Sequence, residues 1–460
     1  MHDVLIIGAG VTGLTCAHEL MRAGADVQVL ERSPRAGGVV GTINHEGYRF
    51  ESGPNTIPAS ARVFRELAGE LGIAGELIVS SPDAANRYLF HRGRLRVLPR
   101  TPAGLISTSV LSPLAKLRAA TEPLRRFRPG TGEEPSLEAF LSERFGRAVA
   151  RTLGGAFVRG VYAAEVNELG AASAFPRLWN ATIEHGSVVR WLKKGAAPGA
   201  SSSLPGPPTR RGDLLSFETG FSRMIEAFTE ELGESLRANT EVKRLEQEGQ
   251  GWCVHLESGE RSQARHVVLA TPAAATVGLV GALADLSPLE HVDHADLVVV
   301  HLGLSDANLP QGFGFLVPPD EQGGPRSLGI LFPSRIFEGR APTGRSAVSA
   351  ILRESDVSDL DDKALERVAH EDLVQAIGRK AAGTVEVRHI ERWRDVIPRY
   401  TVGHAQRMEA MISHVEGSLP GLFLAGAYHG GVSVEDCMSR GRDVGRRLAE
   451  TLSHRQEACA

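Results

Sequence analysis

Several features that would announce a function are scarce in this 460-residue chain. Aromatic residues make up 5% of it, which leaves few platforms on which nucleic-acid bases could stack. The four cysteines (Cys16, Cys253, Cys437, Cys459) lie far apart, so neither a disulfide framework nor a metal-ligand set is spaced along the chain, and a reducing compartment is expected. No run of about 18 apolar residues occurs, so no segment is expected to span a bilayer. A formal net charge of -4 gives no global attraction to a polyanion. The first strand is expected after three residues, which leaves no room for a secretory signal and points to the cytoplasm. A chain of this length is too long for one simple core, so two or three domains are expected.

What is present begins at the first residues. In "VLIIGAGVTGLTCAHEL", Val4 to Ile7 is an aliphatic run suited to a parallel strand buried on both faces. Gly8 permits a tight turn, Gly10 lets the backbone approach a pyrophosphate, and Gly13 lets the next helix lie close to the strand. That helix, predicted over 12–23 with Gly24 as its stop, would turn the main-chain N–H groups of Val11 and Thr12 toward the phosphates. "DVQVLE" is a second strand ending at Glu31, 18 residues beyond Gly13, where a carboxylate accepts hydrogen bonds from a ribose. The order strand, glycine turn, helix, strand, acid predicts a dinucleotide-binding α/β domain.

The next stretch chooses the dinucleotide. "ERSPRAGGVVGT" supplies Arg32, Arg35, Gly37 and Gly38, a basic glycine loop able to close over a pyrophosphate from the other side. "FESGPN" adds Glu51, Gly53, Pro54 and Asn55, a further close approach. Simple nicotinamide enzymes do not need these. The pattern resembles flavoproteins related to glutathione reductase and amine oxidase, which implies FAD. Cys437 lies inside a helix pattern, past the loop where a flavin ring would sit, so the flavin is expected to be held non-covalently.

A long cofactor needs the chain to return to it, and two returns are visible. The first is a helix within "FETGFSRMIEAFTEELG", then a hairpin beginning near Val242 with Gly251 in its turn region, then the buried strand "ARHVVLATP", which ends at Ala270 and Thr271. The second is "GLFLAGAYHGGVSVEDCMSRG": a short strand, a loop with Gly426, Ala427, Gly431 and Val432, and a helix from Val434 whose first turn aims N–H groups at the cofactor. The expected organisation is therefore a discontinuous Rossmann-like FAD-binding domain (1–86, 212–290, 389–460), a mostly helical insertion (87–211) and an antiparallel-sheet substrate domain (291–388). The insertion ends in "GAAPGASSSLPGPPTRRG", expected to be a mobile loop. A homodimer is compatible with the sequence, and no metal site is expected.

Seven fragments in register make the resemblance specific: "NRYLFHRGRLRVLP", "FVRGVYA", "AFPRLW", "GFGFLVP", "SLGILF", "IPRYTVGH" and "LAGAYHGGVSVEDCMSRG". In order and surroundings they resemble the protoporphyrinogen oxidases and their relatives that oxidise coproporphyrinogen. The resemblance implies a six-electron aromatisation taken in three two-electron steps through FAD, with molecular oxygen as acceptor. Such a substrate needs little acid–base help, because conjugation drives loss of hydrogen from a meso carbon and pyrrole nitrogens release the protons. No Ser/His/Asp, Cys/His or metal constellation is evident, so no catalytic side chain is expected, and His429 is read as a packing or orienting residue.

A flat apolar ring with carboxylate arms calls for aliphatic walls and one or two fixed cations. The resemblance implies that Arg87 grips a propionate, that Gly160 and Val161 line the ring, and that Leu328, Gly329 and Leu331 sandwich it. The bland alternatives are a surface arginine and core leucines. Trp393 either stacks near the flavin or anchors its strand. One departure affects substrate choice: where relatives commonly carry Gly-Asp-Pro after this loop, the chain has Ala164, Glu165 and Val166.

Between Arg87 and Arg128 there are ten cations against the single acid Glu122. Interleaved with small apolar residues, they suit a peripheral contact with an anionic membrane or a field that guides an anionic substrate inward; nucleic acid is the weakest partner. Protoporphyrinogen is the expected substrate and coproporphyrinogen the alternative. An amine oxidase would share the cofactor frame but would want an aromatic cage, for which "GAYHGG" offers Tyr428. A non-catalytic flavin-binding protein is the remaining reading.

Overall fold

The computed structural model describes residues 1–99, 104, 107–125, 127, 132–194 and 204–459. Of the segment expected as a mobile loop, 195–203 lies outside the described residues, as do Arg100, Arg126 and Arg128 of the basic stretch; the rest, 204–212, is tied down, because buried Arg65 donates to the carbonyls of Leu204, Pro205 and Pro207.

Three separate stretches of chain build one seven-stranded sheet. Its order is Leu236–Arg237, Val27–Leu30, His2–Ile7, Arg261–Leu269, Gly251–Leu256, Val242–Glu248, with Leu422–Leu424 also paired to Arg261–Leu269. His2–Ile7 lies parallel to both Val27–Leu30 and Arg261–Leu269. It is covered on both faces, which is why its sequence is a continuous aliphatic run rather than an alternating one. On one face, the helices Val11–Arg22 and Val434–Cys459 share an apolar core with Val4, Ile6, Val27 and Val29. The hairpin turns at Gly249 and Gln250, one step earlier than expected; Gly249 takes the positive φ of +61° and Gly251 already pairs with Glu248.

A second seven-stranded sheet runs Thr384–Pro398, His294–Ser305, Ser346–Arg353, Gly329–Leu331, Gly314–Leu316, Arg87–His91, Arg94–Val97. Two expected boundaries shift here. The stretch from Arg87, assigned to a helical insertion, begins with two strands that extend this sheet. The strand Thr384–Pro398 crosses the boundary placed at 388/389, because it pairs with His294–Ser305 along nearly its whole length. The sheet is antiparallel except that Gly314–Leu316 runs parallel to Arg87–His91.

His294–Ser305 shows how this sheet separates core from site. Val298, Val300, Leu302 and Leu304 point to one face and pack with Leu365, Ala369 and Leu373 of the helix Asp362–Ile377. On the other face, Leu297 packs with Ala163, Leu328 and Trp393, and the His301 ring stacks on Phe50 at 4.9 Å. The described residues from 113 to 194 are mostly helical and include Pro113–Ala120, Leu137–Phe145, Gly155–Tyr162, Ala171–Ala174, Pro176–His185 and Val188–Lys194. Several share a core that includes Leu137, Phe140, Val158, Tyr162, Val166, Leu169 and Tyr400. No helix among the described residues is long and apolar enough to cross a membrane.

Candidate functional site

The N-terminal turn is built as a cradle. Gly8 sits at φ +101°, and a β-carbon there would come within 2.7 Å of the Ala270 carbonyl oxygen. A β-carbon on Gly13 would overlap the Gly8 carbonyl oxygen. Gly10 differs: a β-carbon there would meet nothing within 4 Å. Gly10 is the N-cap of Val11–Arg22, with no side-chain cap and no acidic residue in the first turn. An uncapped helix start facing open space offers main-chain donors and partial positive charge to an anion. The residues therefore fit the pyrophosphate of a dinucleotide.

The flanking loop closes on this turn. Gly37 N donates to Ala9 O at 2.7 Å, and Gly37 and Gly38 both take positive φ. Arg35 Nη1 donates to Val40 O at 3.1 Å and Ala36 O at 3.3 Å, so this guanidinium braces its own loop; Arg32 is exposed. Glu31 is buried and joins two turns: one carboxylate oxygen accepts from Ala9 N and the other from Ser33 N, both at 2.8 Å. Its backbone carbonyl accepts from Thr240 N at 2.7 Å, which brings the start of the Val242 strand beside it.

The third approach comes from 51–55. A β-carbon on Gly53 would overlap the Val39 carbonyl oxygen. Asn55 donates to Gly53 O at 2.9 Å, while its Oδ1 is buried without a hydrogen-bond partner, an orphan acceptor of the kind a bound group satisfies. Pro54 lies between them, half-buried. Glu51 is buried and pairs with buried Arg340 at 3.2 Å; burial raises its carboxyl above the usual carboxylate range although Arg340 opposes this. Trp393 Nε1 donates to Ser52 O at 2.8 Å, so the indole is an anchor between the second sheet and this loop, with its ring in the Ala163–Leu297–Leu328 cluster.

The last approach is the loop before Val434–Cys459. A β-carbon on Gly426 would overlap Thr271 O, which fixes Gly426 against the Ala270–Thr271 turn; Thr271 Oγ1 is 2.8 Å from Thr276 Oγ1. Gly430 and Gly431 take positive φ, and Arg440 Nη2 donates to Gly431 O at 2.8 Å. The helix start differs from expectation. Ser433 Oγ accepts from Asp436 N at 3.1 Å and donates to Asp436 Oδ2 at 2.6 Å, so the first turn caps itself instead of leaving all its donors free. Val434 packs in the core with Val11 and Leu14, and Val432 lies half-buried against the helical core.

The six residues implied for the substrate gather around one short strand. Arg87 pairs with Gly314 and carries its guanidinium over the Phe313 ring at 5.1 Å. Leu331 pairs with Gly314, and Gly329 with Leu316. A β-carbon on Gly160 would overlap Leu316 Cδ2, so the helix Gly155–Tyr162 lies directly on this strand. Val161 beside it is 40% exposed. Leu328 is fully buried and packs with Ala163 and Leu297 as a core residue. At the departure from the family pattern, Ala163 takes a left-handed φ of +48°, Val166 is buried, and Glu165 is held by Arg353 at 3.1 Å and Arg159 at 3.6 Å. A cavity of about 600 Å³ lined by Leu95, Asn308, Pro310 and Ile377 lies by the helix Asp362–Ile377, away from this strand's site face.

Two groups in the site carry no role in the sequence reading. Tyr400 and His404, from "IPRYTVGH", hydrogen-bond to the 427–431 loop, and Glu435 accepts from Val63 N and Phe64 N, both at 2.9 Å. The available signal was the four-residue spacing of Tyr400, ahead of the helix His404–Ser418, and His404 at its start. Among the described residues no group of three or more His, Cys, Asp or Glu could hold a metal ion.

Comparison with known proteins decides the family. The model for flavin-containing amine oxidoreductases matches residues 11–449. The chain belongs to this family, in its protoporphyrinogen oxidase branch. Protoporphyrinogen oxidase of Bos taurus is 32% identical over 97% of this chain and 98% of its own. Coproporphyrinogen III oxidase of Bacillus subtilis is 25% identical over 95% and 96%. A crystal structure of a candidate protoporphyrinogen oxidase from Exiguobacterium sp. 255-15 superposes with a TM-score of 0.81 at 23% identity, covering 98% of this chain and 99% of that one. The chain is thus a flavin oxidoreductase with FAD as its cofactor, and the expected α/β flavoprotein fold is the observed one.

Proposed function

We propose that this chain oxidises protoporphyrinogen IX to protoporphyrin IX in porphyrin and haem biosynthesis, with molecular oxygen as terminal acceptor. The observation that supports it is the strand Gly314–Leu316, where an arginine and a wall of glycine and leucine side by side suit a flat apolar ring bearing a carboxylate. Bound FAD supplies the two-electron acceptor. The chain's own residues bind and orient. Arg87 takes a carboxylate arm, while Gly160 and Gly329 let the helix Gly155–Tyr162 and the neighbouring strand close on Leu316 and so build one wall of the site. Acid–base catalysis is not asked of the chain: burial lowers the His429 pKa, which suits an orienting ring better than a base.

Charge favours the dicarboxylate substrate. Arg159 and Arg353, cations near the Ala163 loop, share Glu165, which offsets charge that further carboxylate arms would use. Coproporphyrinogen III, with four carboxylates, is the second reading, favoured by the Bacillus subtilis relative. Side-by-side turnover of the two porphyrinogens tests this. Anaerobic addition of protoporphyrinogen is expected to bleach the flavin absorbance; bleaching by neither porphyrinogen removes the function, and reduction by polyamines alone would reassign it to an amine oxidase. Arg87→Ala is expected to raise KM roughly tenfold, as loss of a charge-assisted contact does, with flavin content unchanged.

We also propose a cytoplasmic protein that touches anionic membrane surface without entering it. Leu114, Leu117 and Leu124 are 79%, 65% and 82% exposed, with Lys116 and Arg125 among them. Co-sedimentation with phosphatidylglycerol vesicles, weakened by salt and absent with phosphatidylcholine, is expected; equal recovery with both vesicles contradicts it.

A further inference from the structure

Tyr400 sits where three parts of the chain meet. Its ring is buried in the core of the helical segment, 6.4 Å from Tyr162, and stacks on His404 at 4.5 Å with the planes 15° apart. Its backbone carbonyl accepts from Gly170 N at 2.8 Å. Its hydroxyl leaves that core for the 427–431 loop, donating to Ala427 O at 2.6 Å and accepting from Gly431 N at 3.1 Å.

Its neighbours reinforce the same connection. His404 Nε2 donates to Tyr428 O at 2.7 Å. Beneath, the Glu134 carboxylate of the helical segment accepts from Gly403 N at 2.9 Å and from Ser173 N at 2.8 Å, and Ser173 Oγ accepts from Ala405 N at 3.0 Å. No regular element spans 427–431, and Gly430 and Gly431 both take positive φ, so side chains from outside the loop must hold its shape. One hydroxyl that donates to one end of such a loop and accepts from the other fixes the distance between them.

We propose that Tyr400 is a positioning residue, whose hydroxyl holds the 427–431 loop in the shape that receives FAD and makes that shape depend on the docking of the helical segment. The proposal rests on the reading that this loop meets the cofactor. Burial keeps the phenol protonated by pushing its pKa up, and pushes the His404 imidazole down to about 4, so both remain neutral donors at working pH.

The test uses the full chain, stripped of FAD and titrated with it, following flavin fluorescence for Kd and thermal unfolding with and without FAD. Tyr400→Phe keeps the ring and its stack but removes both hydrogen bonds. It is expected to raise Kd for FAD about tenfold, in keeping with two lost hydrogen bonds, and to shrink the FAD-induced rise in Tm while the apoprotein Tm changes less. His404→Phe is expected to raise Kd about threefold by losing one bond. Tyr162→Phe is the control: its hydroxyl donates to Ala174 O at 2.9 Å, inside the helical core, so apo and holo Tm should fall together with Kd unchanged. A Tyr400→Phe protein with wild-type Kd and an undiminished FAD-induced Tm increment overturns the proposal, whatever its own Tm. If that variant yields no folded protein, His404→Phe decides by the same two readouts. Wild-type chain that binds no FAD sinks the cofactor reading instead, and this proposal with it.

Discussion

At the scale of single residues, the three glycines of the opening turn have different physical jobs, and substitution separates them. Gly13→Ala forces a methyl into the Gly8 carbonyl, so apoprotein stability and FAD affinity should both fall. Gly10 has φ -69° and open space around the position of a β-carbon. Gly10→Ala should therefore leave apoprotein urea stability within about 0.5 kcal/mol of wild type while raising Kd for FAD at least tenfold, because the methyl occupies room meant for phosphate. Equal loss of stability in both variants would show that the space at Gly10 is not a ligand cradle. The glycine, acid and strand signals for this turn were legible because every partner lies within one strand–helix–strand unit. The role of Tyr400 was not: its hydroxyl bonds residues 27 and 31 positions away, and the family fragment containing it says nothing of direction.

At the scale of elements, the N-terminal and C-terminal helices of the nucleotide domain pack closely because glycines line their contact. A β-carbon on Gly441 would overlap the Thr12 carbonyl oxygen, and one on Gly445 would come within 2.8 Å of Glu19 Cβ. Arg442 then completes the contact with Glu19, Glu66 and Glu70, at 2.6 to 2.8 Å. Gly441→Val should lower Tm by several degrees, as overpacking at about 1–3 kcal/mol does. Gly417, exposed in the helix His404–Ser418 with nothing near its β-carbon position, is the contrast: Gly417→Ala should be neutral or stabilising by up to about 1 kcal/mol. Both helices were readable from periodicity, yet "SRGRDVG" shows glycines and arginines with no indication of which neighbour requires them. The two boundary shifts share this cause. Arg87–His91 and Thr384–Pro398 have ordinary strand composition, and which sheet they join is fixed by the strands they pair with, Gly314–Leu316 and His294–Ser305.

At the scale of the whole molecule, the two sheets and the helical segment enclose titratable groups that tie folding to pH. Burial pushes His301 down to about 3, with His389 adding to it, and His404 down to about 4. A folded pKa below the unfolded value of about 6.5 means that stability is complete above that pH. It is lost as pH falls toward 4, by about 3 kcal/mol for His404 alone. Buried Glu51 and Asp372 and half-buried Glu416, whose carboxyls desolvation pushes up, act in the opposite sense at low pH. The comparison of variants therefore carries the test: urea midpoints of wild type should fall more steeply between pH 7 and 5 than those of His301→Asn. Parallel slopes would show that His301 does not titrate with unfolding.

The sequence by itself determined the opening dinucleotide unit, the two returns of the chain to it, the branch of flavoproteins the chain belongs to, and the helices that cover the sheets. These follow from local rules: glycine where the backbone must approach, aliphatic runs where both faces are buried, and apolar periodicity where one face is. Tertiary structure alone decided that Arg87 begins a strand beside Gly314, that Leu328 is core while Val161 is exposed, and that Trp393 hangs from Ser52. Each of these depends on which residues meet across tens or hundreds of positions, and a hydrogen bond or a packed face between such partners leaves no spacing in the chain from which to read it.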